Sequence, residues 1–282
     1  MISLRPPRNT WSRIDPAGWL VGPAPQAPAD DARPGFRLIC CAHAGGSTAA
    51  FRPWQVVVGD TAALAVLQMP GRDQRATEAP TVSIAAVADA VASVLTDPDA
   101  GGPDAGGAAP PVVLYGHSMG TLVALEVAHR LVAAGQPPLL LVLGARVPPH
   151  LSTPAARMLD LDDDAFFDGL DRAYGGTPVA VRNDPSMRRH YIRIMRGDFR
   201  LSADYIAGFA ATGAGRPPLP CPLLAFSGDT DRAAPAAAMA EWRGYGTAGF
   251  NQVTLPGGHF FAIERPRPVV SRIIAAATRL IG

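Results

Sequence analysis

The order of apolar segments along the chain predicts strands that alternate with helices. Short apolar runs at 36–41, 64–69, 111–116, 139–143, 222–226 and 251–255 are typical of buried strands. Apolar residues at helical spacing between them predict helices, most clearly at 82–95, 119–134 and 266–281. This alternation favours an α/β fold, in which helices cover both faces of a mostly parallel sheet.

The alternation stops in one internal region, 149–213, where the pattern predicts only helices, at 162–174, 185–199 and 202–211. This region follows the carboxyl end of a strand, the edge where ligands bind in open α/β sheets. We therefore predict a helical lid inserted into a core formed by 36–148 and 214–282. Residues 1–35 are rich in Pro, Ala, Asp and Arg and are predicted to form an N-terminal extension, with Trp11 and Trp19 packed on the core.

A candidate nucleophile, Ser118, lies where an apolar strand runs into a helix. The surrounding segment is Gly116-His117-Ser118-Met119-Gly120, a Gly-x-Ser-x-Gly motif. A serine on a sharp strand-to-helix turn projects its hydroxyl beyond the carboxyl edge of the sheet, and flanking glycines leave space for the turn. The helix N-terminus that follows offers free backbone N–H groups to a developing negative charge.

A base and an acid for this serine follow in the chain. His259 lies in a glycine-rich loop between the last strand and the last helix, where it can reach back to Ser118. Asp229 and Asp231 follow the penultimate strand, and the order Ser, Asp, His is that of α/β-hydrolases. We favour Asp231 as the acid because these hydrolases usually place it three residues beyond the glycine that ends the strand, which leaves Asp229 as a turn former.

Two backbone amides are candidates for an oxyanion hole. One is that of Met119, directly after the nucleophile, and the other is that of Ala44, in the loop after the first core strand. His43, which precedes Ala44, is a candidate second base. Its position early in the chain favours instead a structural hydrogen-bonding role.

Composition narrows the possible classes of protein. The chain has 282 residues, 48% of them hydrophobic, and a formal net charge of +1, which gives no electrostatic reason to expect nucleic acid or a membrane as partner. All 25 basic residues are arginine, so catalysis by a lysine is excluded. Three cysteines without paired spacing favour a reducing compartment, and no targeting segment is evident; we expect a cytoplasmic protein.

Several segments together resemble a known family, the type II thioesterases, which are stand-alone α/β-hydrolases that accompany modular polyketide and nonribosomal peptide synthases. The segments that carry the resemblance are Ala42-His43-Ala44-Gly45-Gly46-Ser47, Met69-Pro70-Gly71-Arg72, Gly116-His117-Ser118-Met119-Gly120, Leu161-Asp162-Asp163 with Phe166, Gly228-Asp229-Thr230-Asp231 and Gly257-Gly258-His259-Phe260. The chain departs from the family pattern at Cys41-Ala42, at Arg232 and in its longer N-terminal segment.

The resemblance implies an α/β-hydrolase fold and a defined reaction. The substrate would be an acyl group in thioester linkage to the phosphopantetheine arm of an acyl or peptidyl carrier protein. A triad of Ser118, His259 and Asp231 would hydrolyse it without a metal or a cofactor of the enzyme's own, to remove stalled or misprimed chains. A product-releasing or cyclising thioesterase, a carboxylesterase and a carrier-binding protein with an idle site remain as alternatives.

Two sets of residues in the predicted lid are candidates for binding. The aromatic and methionine side chains that could line an acyl chamber are Phe166, Phe167, Tyr174, Met195, Phe199, Tyr205 and Phe209. The arginines that share a helical face and could bind an acidic carrier protein are Arg189, Arg193, Arg196 and Arg200. Both sets have a plainer interpretation, as core and as solvated surface. We expect a monomer.

Overall fold

The computed structural model describes residues 13–15, 18–22, 35–80, 83–97, 109–151, 155–212 and 216–282. The strands are β1 (Arg13–Ile14), β2 (Leu20–Gly22), β3 (Phe36–Cys41), β4 (Ala62–Leu67), β5 (Val112–His117), β6 (Leu140–Gly144), β7 (Leu223–Gly228) and β8 (Phe250–Leu255). The helices are α1 (Arg52–Val58), α2 (Ile84–Thr96), α3 (Met119–Ala133), α4 (Ala155–Met158), α5 (Asp163–Tyr174), α6 (Val179–Asn183), α7 (Pro185–Thr212), α8 (Ala236–Met239), α9 (Phe261–Glu264) and α10 (Pro266–Ile281). Short 3-10 helices span Thr48–Phe51, Asp73–Arg75 and Ala240–Tyr245.

The strands form one sheet in the order β1-β2-β4-β3-β5-β6-β7-β8. From β4 to β8 every pair is parallel, whereas β2 is antiparallel to β4 and β1 is antiparallel to β2. The α/β prediction, a mostly parallel sheet flanked by helices, is confirmed. The nucleophile strand β5 lies between β3 and β6, so the loops after all three strands meet at one edge.

The hairpin formed by β1 and β2 was not predicted, because residues 1–35 were expected to be an extension. Leu20 and Val21 are buried, and β2 pairs with β4 at the edge of the sheet. Trp19 packs beneath the guanidinium of Arg75, 4.1 Å from the ring centre. A strand of three residues is too short to give a periodic signal. Trp11 and the loop residues 98–108 lie outside the described residues.

Helices cover both faces of the sheet, and each face has its own apolar core. One core joins α2 and α3 to the sheet and includes Trp242. The other joins α1 and α10 to the opposite face and includes Trp54, whose indole N–H donates to the carbonyl of Ala262. The two buried faces hold the carboxyl ends of the strands in fixed positions. None of the helices in the described part of the chain is both long enough and apolar enough to cross a membrane.

The described residues of the insertion, 155–212, form helices α4 to α7 and contain no strand. The sequence predicted a break near residue 201, but α7 continues through it for 28 residues. Leu201 is buried in the core that α7 shares with α2 and α3, and Ser202 is also buried. This tertiary packing outweighs the preference of serine for a helix start. A third apolar cluster fills the insertion and extends to Ala44 and Met119 in the core.

Candidate active site

The turn between β5 and α3 places Ser118 in a backbone conformation that residues other than glycine rarely adopt. Its φ is 54° and its ψ is −117°. The Ser118 amide donates to the carbonyl of Gly144 at the end of β6 (2.8 Å), and the Ser118 carbonyl accepts from the amide of Thr121 (3.0 Å). Such strain persists only where surrounding contacts impose it, and it is common at functional sites.

The two glycines of the motif are required by close backbone contacts. A Cβ at Gly116 would lie 2.3 Å from Cα of Thr121, and a Cβ at Gly120 would lie 2.1 Å from the carbonyl oxygen of Cys41. Neither backbone can move without disturbing the sheet. Helix α3 therefore packs against β3 and β5 more closely than any side chain at these positions permits.

The structure brings Ser118, His259 and Asp231 into one hydrogen-bonded chain. His259 Nε2 lies 2.9 Å from Ser118 Oγ, and His259 Nδ1 lies 2.9 Å from Asp231 Oδ2. A carboxylate oxygen only accepts, so Nδ1 carries the proton and Nε2 is free to accept from the serine hydroxyl. The second oxygen of Asp231 accepts from the amides of Ala233 and Ala234, which fixes the carboxylate.

Asp229, the alternative acid, has a different place. Its Oδ1 accepts from the amide of Gly257, at 2.9 Å, and its side chain is exposed. Gly228 approaches the same loop so closely that a Cβ there would lie 2.3 Å from the carbonyl oxygen of Gly257. Asp229 therefore holds the loop that carries His259, whereas Asp231 contacts the ring itself.

His117, to which the sequence analysis gave no role, holds the backbone of the loop that carries His259. Its Nε2 donates to the carbonyl of His259 (2.9 Å), so its Nδ1 accepts from the hydroxyl of Tyr115 (2.9 Å). The side chain is fully buried, and burial lowers the pKa of His117 well below its ordinary value. Because the ring stays neutral, both hydrogen bonds keep their direction at physiological pH.

The loop after β3 is tied to the insertion by a buried ion pair. Asp198 on α7 accepts from the amide of Gly45 (2.7 Å) and from Arg72 Nη2 (2.6 Å), while Arg72 Nη1 donates to the carbonyl of Gly46 (3.0 Å). The Gly46 amide donates to the carbonyl of His43. Two of the three amides from Ala44 to Gly46 are therefore used within the protein. Arg72 was recognisable from the sequence through the motif Pro70-Gly71-Arg72, whereas no sequence signal marked its partner Asp198.

His43 lines the same cavity as Ser118, but His259 is the histidine that hydrogen bonds to the serine. The His43 ring packs edge-on against Phe260, with ring centres 5.0 Å apart. Burial, together with the nearby His259 and Arg72, lowers the pKa of His43 to about 3. His43 is therefore neutral at physiological pH, as a packing residue next to a cationic neighbour must be.

A cavity opens beside Ser118 and His259. Ala44 and Met119 border it, and α5 and α7 form its apolar wall with Leu170, Tyr174, Met195 and Phe199. Tyr174 packs against the ring of His259, with ring centres 4.8 Å apart. Tyr191, Ser202 and Arg146 also line the cavity and were not singled out from the sequence.

Of the seven residues predicted to line an acyl chamber, Tyr174, Met195 and Phe199 border this cavity. Phe166 and Phe167 lie instead in the apolar core of the insertion, behind the cavity wall. Tyr205 and Phe209 border a different cavity, next to Glu126, whose carboxylate accepts from the Tyr205 hydroxyl. These four side chains lie away from Ser118 because helical spacing identifies a buried face without identifying the cavity that it meets.

The four predicted docking arginines differ in exposure and in their partners. Arg189, Arg193 and Arg200 are exposed. Arg196 instead binds Asp163 (2.9 Å) and the carbonyls of Leu159 and Leu161, and its guanidinium covers the ring of Phe166. These contacts brace the start of α5 and leave Arg196 less free to bind a partner than the other three arginines. Docking by the arginines stays a prediction.

No group of three or more His, Cys, Asp or Glu side chains in the described ranges is arranged to hold a metal ion. The absence of a cofactor stays a prediction from the sequence.

Comparison with known proteins identifies the family. A family model for the thioesterase domain matches residues 36–277. The chain belongs to the thioesterase family. The thioesterase is 28% identical over 241 residues to a probable anguibactin biosynthesis thioesterase of Vibrio anguillarum, a match that covers 85% of this chain and 91% of that protein.

Two solved structures extend the comparison. The type II thioesterase YbtT from a yersiniabactin NRPS/PKS pathway is 28% identical, with a TM-score of 0.78, and the match covers 94% of this thioesterase and all of YbtT (100%). RedJ, a thioesterase of the prodiginine pathway in Streptomyces coelicolor, is 33% identical, with a TM-score of 0.74 and coverage of 88% and 92%. The resemblance to type II thioesterases is confirmed, and with it an enzyme that acts on thioesters.

The close approach at Gly120 predicts that Gly120→Ala lowers the free energy of unfolding by about 3 kcal/mol, because the new Cβ meets backbone and nothing can move aside. Gly197→Ala is the matched control, since nothing lies within 4 Å of a Cβ there. It is expected to stabilise α7 by about 0.5–1 kcal/mol. Urea unfolding of both variants measures the difference, and equal effects would contradict the packing argument.

The buried ion pair between Asp198 and Arg72 predicts that Asp198→Ala lowers the free energy of unfolding by about 3–5 kcal/mol, because Arg72 keeps a buried charge without its partner. Asp164→Ala serves as the control, since it breaks an exposed pair with Arg188 and is expected to change stability little. Urea unfolding checks both. Comparable losses would mean that the Asp198 pair is not the contact that holds α7.

Proposed function

We propose that this thioesterase hydrolyses acyl groups from the phosphopantetheine arm of acyl or peptidyl carrier proteins, with Ser118, His259 and Asp231 as its catalytic triad. The observation that carries the proposal is the unbroken hydrogen-bonded chain from Asp231 through His259 to Ser118, with 2.9 Å at each step, beside an apolar cavity. The similarity to a type II thioesterase of an NRPS/PKS pathway supports a carrier-bound substrate.

The first half of the reaction forms an acyl-enzyme. Ser118 Oγ attacks the thioester carbonyl carbon while His259 Nε2 takes the hydroxyl proton. The charge that develops on the carbonyl oxygen is stabilised by the amides of Met119 and Ala44. Met119 is the first residue of α3, where amides lack a helical partner. As the carbon–sulfur bond breaks, His259 returns its proton to the departing thiolate of the arm.

The second half releases the acid. His259 takes a proton from a water molecule, which attacks the acyl-Ser118 ester, and the same proton then returns to Ser118 Oγ as that ester breaks. Throughout both halves Asp231 accepts from Nδ1 and stabilises the imidazolium that forms in each step. The products are a free carboxylic acid, the carrier thiol and the restored enzyme.

The biological role in this proposal is editing: the enzyme removes stalled or misprimed acyl chains from a polyketide or nonribosomal peptide synthase. Carrier proteins are acidic, and Arg189, Arg193 and Arg200 form an exposed basic surface on α7, one wall of the cavity. Complementary charge increases the rate of encounter and orients the partner. The phosphopantetheine arm belongs to the carrier, so the enzyme requires no cofactor of its own.

Ser118→Ala is expected to lower kcat on an acyl-carrier protein by a factor on the order of 10⁶, because it removes the proposed nucleophile while the protein still folds. Release of the acyl group is measured by mass spectrometry of the carrier, and circular dichroism confirms folding. A folded variant that keeps more than a few per cent of the activity would show that another group attacks the thioester.

Three further measurements distinguish the proposed thioesterase from an esterase, a cyclising enzyme and a binding protein. An esterase would prefer oxyesters to matched thioesters, and a cyclising enzyme would release lactones or lactams. A binding protein with an idle site would bind the carrier without releasing acid and would resist a serine-reactive fluorophosphonate. Fluorophosphonate labelling of wild type, absent in Ser118→Ala, is the expected result.

Asp231→Asn is expected to lower kcat by about 10⁴, because an amide at this position favours the wrong tautomer of His259. Asp229→Asn is the matched control, since Asp229 contacts the loop amide of Gly257 and not the ring. Its effect is expected to be far smaller. Steady-state kinetics of the two variants decide the assignment, and the reverse ranking would transfer the role of the acid to Asp229.

Replacement of Arg189, Arg193 and Arg200 by glutamate is expected to raise KM for an acyl-carrier protein and to leave hydrolysis of a small acyl-pantetheine thioester unchanged. The effect should shrink as salt rises, because exposed charges are screened over about 10 Å at 0.1 M. Arg272→Glu, on α10 at the opposite face of the sheet, is the control. Equal losses on both substrates would exclude docking as the function of these arginines.

A further inference from the structure

One arginine at the catalytic cavity, Arg146, is held in place by the backbone around it. Strand β6 ends at Gly144, and Ala145 has a φ of 53°, a conformation that a residue with a side chain rarely adopts. The Ala145 amide donates to the carbonyl of Phe226 (3.0 Å), and the carbonyl of Arg146 accepts from the indole N–H of Trp242 (2.6 Å). The strained turn is therefore fixed on both sides, and backbone strain of this kind is common at functional sites.

The Arg146 side chain is buried, with 6% of its surface exposed, and it lines the cavity that contains Ser118 and His259. Its Nε and Nη2 atoms are buried and find no hydrogen-bond partner among the residues that the structure describes. Burial lowers the pKa of Arg146, yet a guanidinium stays protonated at physiological pH. The cavity therefore contains a positive charge with unused donors.

Two other arginines in the described part of the chain show the usual arrangement. The largely buried side chain of Arg72 is paired with Asp198, and the partly buried Arg130 binds the buried carboxylate of Glu126. A buried charge without a counterion is costly, and proteins otherwise pair it. No carboxylate among the described residues pairs with Arg146. The missing counterion is consistent with one that arrives with a ligand.

The two unused donors define the shape of that ligand. Nε–H and one Nη2–H lie in the guanidinium plane and point the same way along one edge, which matches the two oxygens of a carboxylate. The phosphate of the phosphopantetheine arm is at the far end of the arm from the thioester, so it does not reach a group beside the nucleophile. The product carboxyl forms at Ser118 itself. The anion that reaches Arg146 is then part of the acyl group.

We propose that Arg146 is a specificity subsite for acyl groups that carry a second carboxylate, so that the thioesterase prefers half-thioesters of dicarboxylic acids to neutral acyl groups of the same shape. The proposal rests on the hydrolytic function proposed above. Leu170, Met195 and Phe199 contact the methylene groups of the chain, and Arg146 binds both oxygens of its terminal carboxylate. The buried hydroxyl of Ser202 lies in the same wall.

The test compares pairs of pantetheine thioesters that differ in charge and hardly in shape. The carboxylated members are malonyl, succinyl and glutaryl, and their neutral counterparts are 3-methylbutanoyl, 4-methylpentanoyl and 5-methylhexanoyl, because an isopropyl group occupies nearly the volume of a carboxylate. The expected result is that kcat/KM of wild type is about tenfold to a hundredfold higher for the carboxylated member of at least one pair.

Two variants assign that preference to the arginine. Arg146→Gln is expected to reduce the ratio to about one, through loss of the carboxylated substrate alone, while Arg146→Lys keeps part of it, since it retains charge without the two-pronged geometry. Arg272→Gln, an exposed arginine of α10 outside the cavity and the docking surface, is the control and should leave the ratio unchanged. A preference that survives in Arg146→Gln overturns the proposal.

The remaining outcomes separate this proposal from the proposed function. If wild type hydrolyses the neutral thioesters equally well or better in all three pairs, the subsite is wrong and the hydrolase stands. If wild type hydrolyses none of the six, both are wrong. Should Arg146→Gln fail to fold, inhibition of wild type decides: succinate or glutarate must inhibit more strongly than 4-methylpentanoate or 5-methylhexanoate, and equal inhibition overturns the subsite.

Discussion

The backbone of Ser118 adopts a conformation that the sheet imposes on it, and the rest of the site depends on that constraint. Its amide is held by the carbonyl of Gly144 in the neighbouring strand, and the absence of side chains at Gly116 and Gly120 brings α3 against the sheet. These contacts together outweigh the energetic cost of the positive φ at Ser118. The hydroxyl consequently lies in one position at the sheet edge. The loop after β8 brings His259 to it there.

Three histidines lie near Ser118, and the groups around each ring give it a different role. His259 has a carboxylate on one nitrogen and a hydroxyl on the other, so its ring is oriented for proton transfer. His117 is enclosed and hydrogen-bonded to the carbonyl of His259, so it positions a backbone. His43 packs against Phe260 beside Arg72 and is kept neutral. The same residue type thus occurs here as the proposed base, as a residue that positions a loop and as a packing residue.

The sequence was informative where function depends on short segments. The strand, the glycines and the serine of 112–120 form a local motif, and the chain order of Asp231 and His259 follows from the topology of the sheet. The residues that were misplaced are those whose position depends on how one helix packs on another. Phe166, Tyr205 and Arg196 all have helical spacing that fits the prediction, yet each faces a different neighbour from the one expected. Arg146 gave no signal, because an unpaired buried charge is recognisable only after its surroundings are known.

Asp198 links two parts of the enzyme that are far apart in the chain. One carboxylate on α7 holds both the amide of Gly45 and the side chain of Arg72, so the loop that carries Ala44 is positioned by the insertion and not by the core alone. The shape of the Ala44 loop is thus set by a side chain more than 150 residues further along the chain. A substitution on α7 at this one position would disturb the helix and the loop together, although the helix has no residue in the loop.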